Sequence, residues 1–177
     1  MKIRNMVFTA LFAAVICAAA PFVIMLPFSP VPLSLATFVI YIAAASINWK
    51  TGTLAVVLYL LIGMIGLPVF SGFTGGVQKL VGPTGGFLIG YIPCALIIGL
   101  LVDKLEKKLW IYPVSMVLGT AVLYAFGTVW FMISLKYTLA AALVACVVPF
   151  LPGDAAKIVL ASVIAPALRK LLKKQAN

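Results

Sequence analysis

Residues 147–166 read VVPFLPGDAAKIVLASVIAP. Nearly every side chain in this stretch is apolar, yet Asp154 and Lys157 stand in it, three residues apart, just after Pro152 and Gly153. An unpaired charge among hydrocarbon is costly, so a pair kept there calls for a physical reason. The same setting extends along the whole chain. Of 177 residues, 65% are hydrophobic and 9% are charged, whereas a soluble domain is nearer half apolar and about a quarter charged. Long runs almost free of charge belong in lipid. The expected architecture is all-α: a single integral membrane domain over residues 1–177, a bundle of six transmembrane helices of roughly 20 residues each.

Punctuation places the spans. The first runs from about Asn5 to Leu26. The opening residues also have the charged start and Ala-x-Ala of a secretory signal, but the apolar run continues past Ala20, so a span is the better reading. Pro27, Pro30 and Pro32 interrupt it. A second span covers Leu35–Ile47, and a third follows Asn48–Gly52 and ends near Ile65. GLPVFSGFTGGVQKLVGPTGG, residues 66–86, reads as a long irregular stretch. The fourth span ends near Val102, at the charged hairpin DKLEKKLWIYP, and the fifth covers Val114–Leu135. Residues 138–150 are too few to cross about 30 Å and carry Pro149, so they read as a short re-entrant or interfacial helix before the last span. That span starts near Gly153.

Six spans put both termini on one side. There the sequence places Lys2, Arg4, Lys50, Lys104, Lys107, Lys108, Arg169, Lys170, Lys173 and Lys174, against Lys79 and Lys136 on the other. Lys and Arg favour the cytoplasmic side, so both termini are expected inside. The net charge of +10 then reports topology; binding nucleic acid would need a soluble basic face, which is absent. Every irregular segment, by contrast, falls on the outer side. Non-helical backbone at membrane depth is tolerated where it is buried in protein or lines a cavity, so three breaks on one side predict one cavity open outward.

Asp154 and Lys157 belong at its floor. Asp154 lies in the first turn of a helix, where free N–H groups favour an anion, and a residue three positions on shares its face. The pair is either an internal ion pair that locks the last span or a polar clamp. A carboxylate accepts and an ammonium donates, so a clamp suits a ligand with both N–H and C=O groups. The glycines of GPTGG serve either as a turn, with Thr84 capping the next helix, or as a wall that lets backbone approach a ligand. Ala10 and Ala14 form a small-residue pair that either admits another membrane helix or packs inside the chain.

Other chemistries find little support. Histidine is absent and the only acids are Asp103, Glu106 and Asp154, which leaves few routes to catalysis or metal ligation. Cys17, Cys94 and Cys146 have no redox or metal spacing and read as small buried hydrophobes. No phosphate loop is present, and no dinucleotide fingerprint follows a strand. An intramembrane enzyme is disfavoured by the lack of any Ser or Cys beside a base. No catalytic residue, metal site or cofactor is expected.

GLPVFSGFTGG (66–76), GPTGGFLIGY (82–91) and PFLPGDAAK (149–157), with the early Ala10-x-x-x-Ala14, resemble the BioY family, the biotin-binding substrate-capture subunits of prokaryotic energy-coupling-factor transporters. The similarity runs from about Ala10 to Lys174. Phe87 stands where many relatives carry Tyr, which removes one hydroxyl. The resemblance implies six helices in the cell membrane, both termini inside, and a biotin site near the outer surface, capped by the loop after span 1. It implies as partners a membrane coupling protein and a pair of cytoplasmic ATPases, with Ala10 and Ala14 as the docking face. Biotin is then transported ligand, not cofactor. Asp154 and Lys157 carry over as ligand residues: Asp154 would accept a ureido N–H, and Lys157 would donate either to the ureido carbonyl or to the carboxylate. Phe70, Phe73, Tyr91, Gly82, Thr84, Gly85 and Gly86 would supply contact and shape, and Gln78 an amide. Two alternatives stand beside this: a stand-alone proton-coupled transporter with Asp154 as proton carrier, and a capture subunit for another vitamin such as lipoate.

Overall fold

Apolar runs separated by proline, glycine and charge become helices. The computed structural model describes residues 3–24, 31–106 and 108–174. Among these, helices α1 (Ile3–Ala19), α2 (Ala36–Ser46), α3 (Trp49–Met64), α4 (Val77–Val81), α5 (Gly85–Lys104), α6 (Ile111–Leu135), α7 (Leu139–Cys146) and α8 (Leu151–Lys174) account for most of the chain. α5 and α6 pack along each other most extensively; α2 lies on α8, α1 on α3, and α3 on α5. The main core joins Ile40, Tyr41, Tyr59, Phe70, Cys94, Ile98 and Met116, all at most 1% exposed. Outside it, long faces of α1, α6 and α8 expose Val, Leu, Ile and Phe side chains, more contiguous apolar surface than a soluble monomer presents.

The span count is shorter by helix length than the sequence predicts. α5 and α6 are each long and apolar enough to cross a bilayer; α7 and α8 reach that length and apolarity as a pair bent by 51°, the geometry of a broken span or of a re-entrant segment before the last helix. α1, α2 and α3 have 17, 11 and 16 residues, below the roughly 20 of a perpendicular crossing. The expected end of the first span at Leu26, and Pro27 and Pro30, lie outside the described residues, as do Lys2 and Lys107.

Two stretches taken as irregular contain regular pieces. β2 (Leu33–Ser34), in the proline stretch, pairs antiparallel with β1 (Val23–Ile24), Val23 with Ser34 and Ile24 with Leu33; β1 lies within the expected first span, whose helix instead ends at Ala19, because Pro21 lacks an N–H and disfavours helical backbone in the residue before it. α4 is a short helix between the glycine-rich segments. α8 begins two residues earlier than expected, with Pro152 in its first turn, where a missing N–H costs nothing.

Charge gathers at the end of the bundle remote from these breaks. Arg169, 5% exposed, donates to the carbonyls of Ala45 (3.1 Å) and Ile47 (3.2 Å) and to Asp103 and Glu106. Asp103 also accepts from the Trp49 N–H at 2.8 Å, and Lys173 pairs with Glu106. One guanidinium thus ties α8 to the ends of α2 and α5, and Asp103 extends the network to the start of α3.

Candidate functional site

At the opposite end a cavity of about 250 Å³ opens between β2, α2, the segment after α3, α5, α6 and α8. The sequence makes it by interruption. Pro or Gly interrupts the chain after α3, before α5 and between α7 and α8, so side chains of several short segments converge instead of stacking along one helix.

Asp154 and Lys157 lie at its buried floor, 5% and 9% exposed. Lys157 Nζ donates to Asp154 Oδ1 (2.9 Å), to the Ser34 carbonyl (2.8 Å) and to Thr37 Oγ1 (2.9 Å). An ammonium has three donors, so all are committed within the protein. Asp154 Oδ2 accepts from the Tyr124 hydroxyl at 2.5 Å. A carboxylate offers about four acceptor positions, so two remain uncommitted. Of the two readings the sequence left open, the geometry shows the lock: the ion pair ties α8 to β2 and α2, and Lys157 has no donor left over, while Asp154 keeps acceptor positions beyond its two partners.

Of the other residues the sequence singled out, Phe70, Thr84 and Tyr91 line the cavity with the pair. Phe73, Gln78, Gly82, Gly85 and Gly86 do not. Phe73 has φ 57°, is 61% exposed and sets its ring edge-on to Phe22 at 5.6 Å. Gln78 is exposed on α4, and its carbonyl accepts from the Gly82 N–H. The Gly82 carbonyl accepts from Trp130 Nε1 at 2.9 Å, which pins the glycine segment to α6. Gly85 and Gly86 are demanded by packing: a Cβ on Gly85 would stand 1.8 Å from the Leu80 oxygen, and one on Gly86 2.2 Å from Trp130 Cβ. Thr84 makes no side-chain cap; its hydroxyl is free of that duty and its residue faces the cavity. Ala10 and Ala14 are exposed on α1, flanked by exposed Met6, Val7, Leu11 and Val15, so the internal-packing reading does not hold for them.

Sequence reasoning missed Tyr124, Ser34 and Thr37, which hold the ion pair, and Lys79 and Phe150, which join the wall with Phe87. A tyrosine and a threonine inside apolar spans were visible signals. That they meet Asp154 from 30 residues and Lys157 from 120 residues away was not.

The BioY family model matches residues 1–174. The chain belongs to the BioY family. Members similar to it include a protein named biotin transporter BioY from Thermotoga maritima, 42% identical over 95% of this chain and 97% of that one. Another, named probable biotin transporter BioY, is from Pyrococcus horikoshii and is 31% identical over 96% and 98%. The crystal structure of the S-component for biotin from an ECF-type ABC transporter superposes with a TM-score of 0.88, at 30% identity, over 96% of this chain and 92% of that one. In this BioY chain the three longer motifs that carried the resemblance reach the cavity, Phe70 from the first, Thr84 and Tyr91 from the second, Asp154 and Lys157 from the third, whereas the Ala10–Ala14 pair lies exposed on α1.

Proposed function

We propose that this chain is the biotin-capture subunit of an energy-coupling-factor uptake transporter, binding its ligand from outside the cell and relying on partner subunits for ATP-driven import. The carrying observation is Asp154: an acceptor at a buried cavity floor, held by Lys157 and Tyr124, with acceptor positions to spare. Biotin's ureido ring offers the N–H donors such a group takes, and its fused rings suit the walls of Phe70, Phe87, Leu88, Tyr91 and Phe150. Lipoate has no N–H on its ring and would leave Asp154 unmatched, at the cost of a buried polar group without a partner.

The domain is one unit, residues 1–177, in the prokaryotic cell membrane. The short α1, α2 and α3 count as three of six tilted or partial crossings, and the Arg169 end faces the cytoplasm with both termini. That orientation is supported by the separation of the cavity from the charged end. The reading makes the chain a binding subunit with no chemistry of its own and no cofactor. Its partners are a membrane coupling protein, met at the exposed Ala10 and Ala14, and two cytoplasmic ATPases. Asp154 in an ion pair suits a fixed acceptor better than a proton carrier.

Mass spectrometry of small molecules that co-purify with the chain tests the ligand: biotin is expected, and another vitamin in its place would overturn the assignment. Accumulation in proteoliposomes holding this chain alone, driven by a proton gradient, would replace the capture subunit with a secondary transporter.

A further inference from the structure

The floor of the cavity has no cation to give. Lys157 spends its three donors on Asp154, Ser34 and Thr37, so a ligand carboxylate placed there would have to displace a partner and would lie against the Asp154 charge. The cavity wall holds a second cation. Lys79 on α4 lines it and is solvent-exposed, whereas Asp154 is buried. Among the described residues its ammonium has no acidic partner. Asp103 and Glu106 are engaged with Arg169 at the other end of the bundle, and Asp154 with Lys157, which accounts for every acid in the sequence. The cavity is therefore polarised: a neutral-overall ion pair at depth, aromatic and aliphatic walls between, and an unmatched positive charge at the rim.

We infer that Lys79 is the carboxylate anchor of this site and sets the ligand's orientation, hydrogen-bonding ring inward and anionic chain end outward. This rests on the biotin reading above. A compact, mobile ammonium at the mouth suits such a role, since it attracts an anion from solution without the cost of a buried charge. The site then selects on two independent features: an N–H donor for Asp154 and an anionic tail for Lys79.

The test uses the full-length chain in detergent and two probes, biotin and biotin methyl ester, with affinities from titration calorimetry. Lys79→Gln is expected to weaken biotin on the order of tenfold and to leave the ester unchanged, while Lys79→Arg retains biotin. Added salt should weaken biotin and spare the ester, because an exposed charge pair is screened. Equal losses for both probes, or none for biotin, would overturn the anchor and leave the biotin reading standing. Failure of the unsubstituted chain to bind biotin would overturn that reading and the anchor with it.

Discussion

At the scale of single residues, Asp154 concentrates the energetics. It accepts from a cation and from a hydroxyl in a setting 5% exposed. Hydrogen bonds to a charged group are worth about 1.5–3 kcal/mol. Asp154→Asn should therefore weaken biotin by roughly tenfold to a hundredfold, measured by titration of the detergent-extracted chain. It should also lower the melting temperature, because Lys157 keeps its burial and loses its counter-charge. Affinity unchanged in a folded variant would leave the pair as a structural lock alone. Phe87 limits the wall in the opposite sense: it lines the cavity without a hydroxyl, so it contributes contact area and no hydrogen bond.

At the scale of elements, α1 presents the clearest division of labour. Thr9, Phe12, Ala13 and Ile16 face inward and are buried, whereas Ala10 and Ala14 look out. Trp at either outward position adds bulk without an internal clash. Ala10→Trp and Ala14→Trp should leave biotin affinity intact and abolish co-purification with the coupling protein, because small residues are what let membrane helices approach closely. Assembly that survives both changes would move the docking face elsewhere. The α7–α8 break works differently. Its bend of 51° lies directly before the first turn of α8, the turn that carries Asp154 into the cavity lining.

At the scale of the whole molecule, two ends are organised by opposite chemistry. At the charged end, Arg169→Met should cost about 3 kcal/mol, since a buried guanidinium joining α8 to the ends of α2 and α5 is lost and Asp103 keeps the Trp49 N–H but no counter-charge. Lys173→Gln, at a side chain 57% exposed, should cost little. Thermal melts of the two variants make the comparison. Partial burial pushes the Glu106 carboxyl up, but the Lys173 and Arg169 hydrogen bonds outweigh it and hold it below the usual range. Its stabilisation is thus complete above the unfolded value of about 4.3 and fades as pH falls through the lower folded value; Glu106→Gln should flatten that part of the melting profile. At the cavity end, a cysteine at Ser71 reports orientation. Cys94 and Cys146 are buried, so replacing Cys17 gives a quiet background. An impermeant thiol reagent should label Ser71→Cys from outside intact cells, and excess biotin should protect it. Labelling only from the cytoplasmic side would invert the topology.

The apolar composition, the spacing of prolines and glycines and the ten-to-two distribution of basic residues are local or additive properties, enough to give a helical bundle of apolar segments broken at proline and glycine and the expectation that those breaks gather on the outer side. The i and i+3 spacing of Asp154 and Lys157 was enough to pair them, because a helix brings such neighbours together whatever surrounds it. Which groups complete the pair was decided only by tertiary packing: Thr37 and Tyr124 arrive from other helices, and one-dimensional spacing carries no record of such encounters. The same holds for the glycines. Sequence could name Gly85 and Gly86 as positions of close approach, but only the packed bundle shows that what approaches them is Leu80 and Trp130 of the chain itself. Arg169 is the sharpest case: counted along the chain it is one more basic residue of the expected cytoplasmic set, and in the fold it is buried on α8 and bonded to the ends of α2 and α5, because helix ends far apart in sequence converge on its side chain.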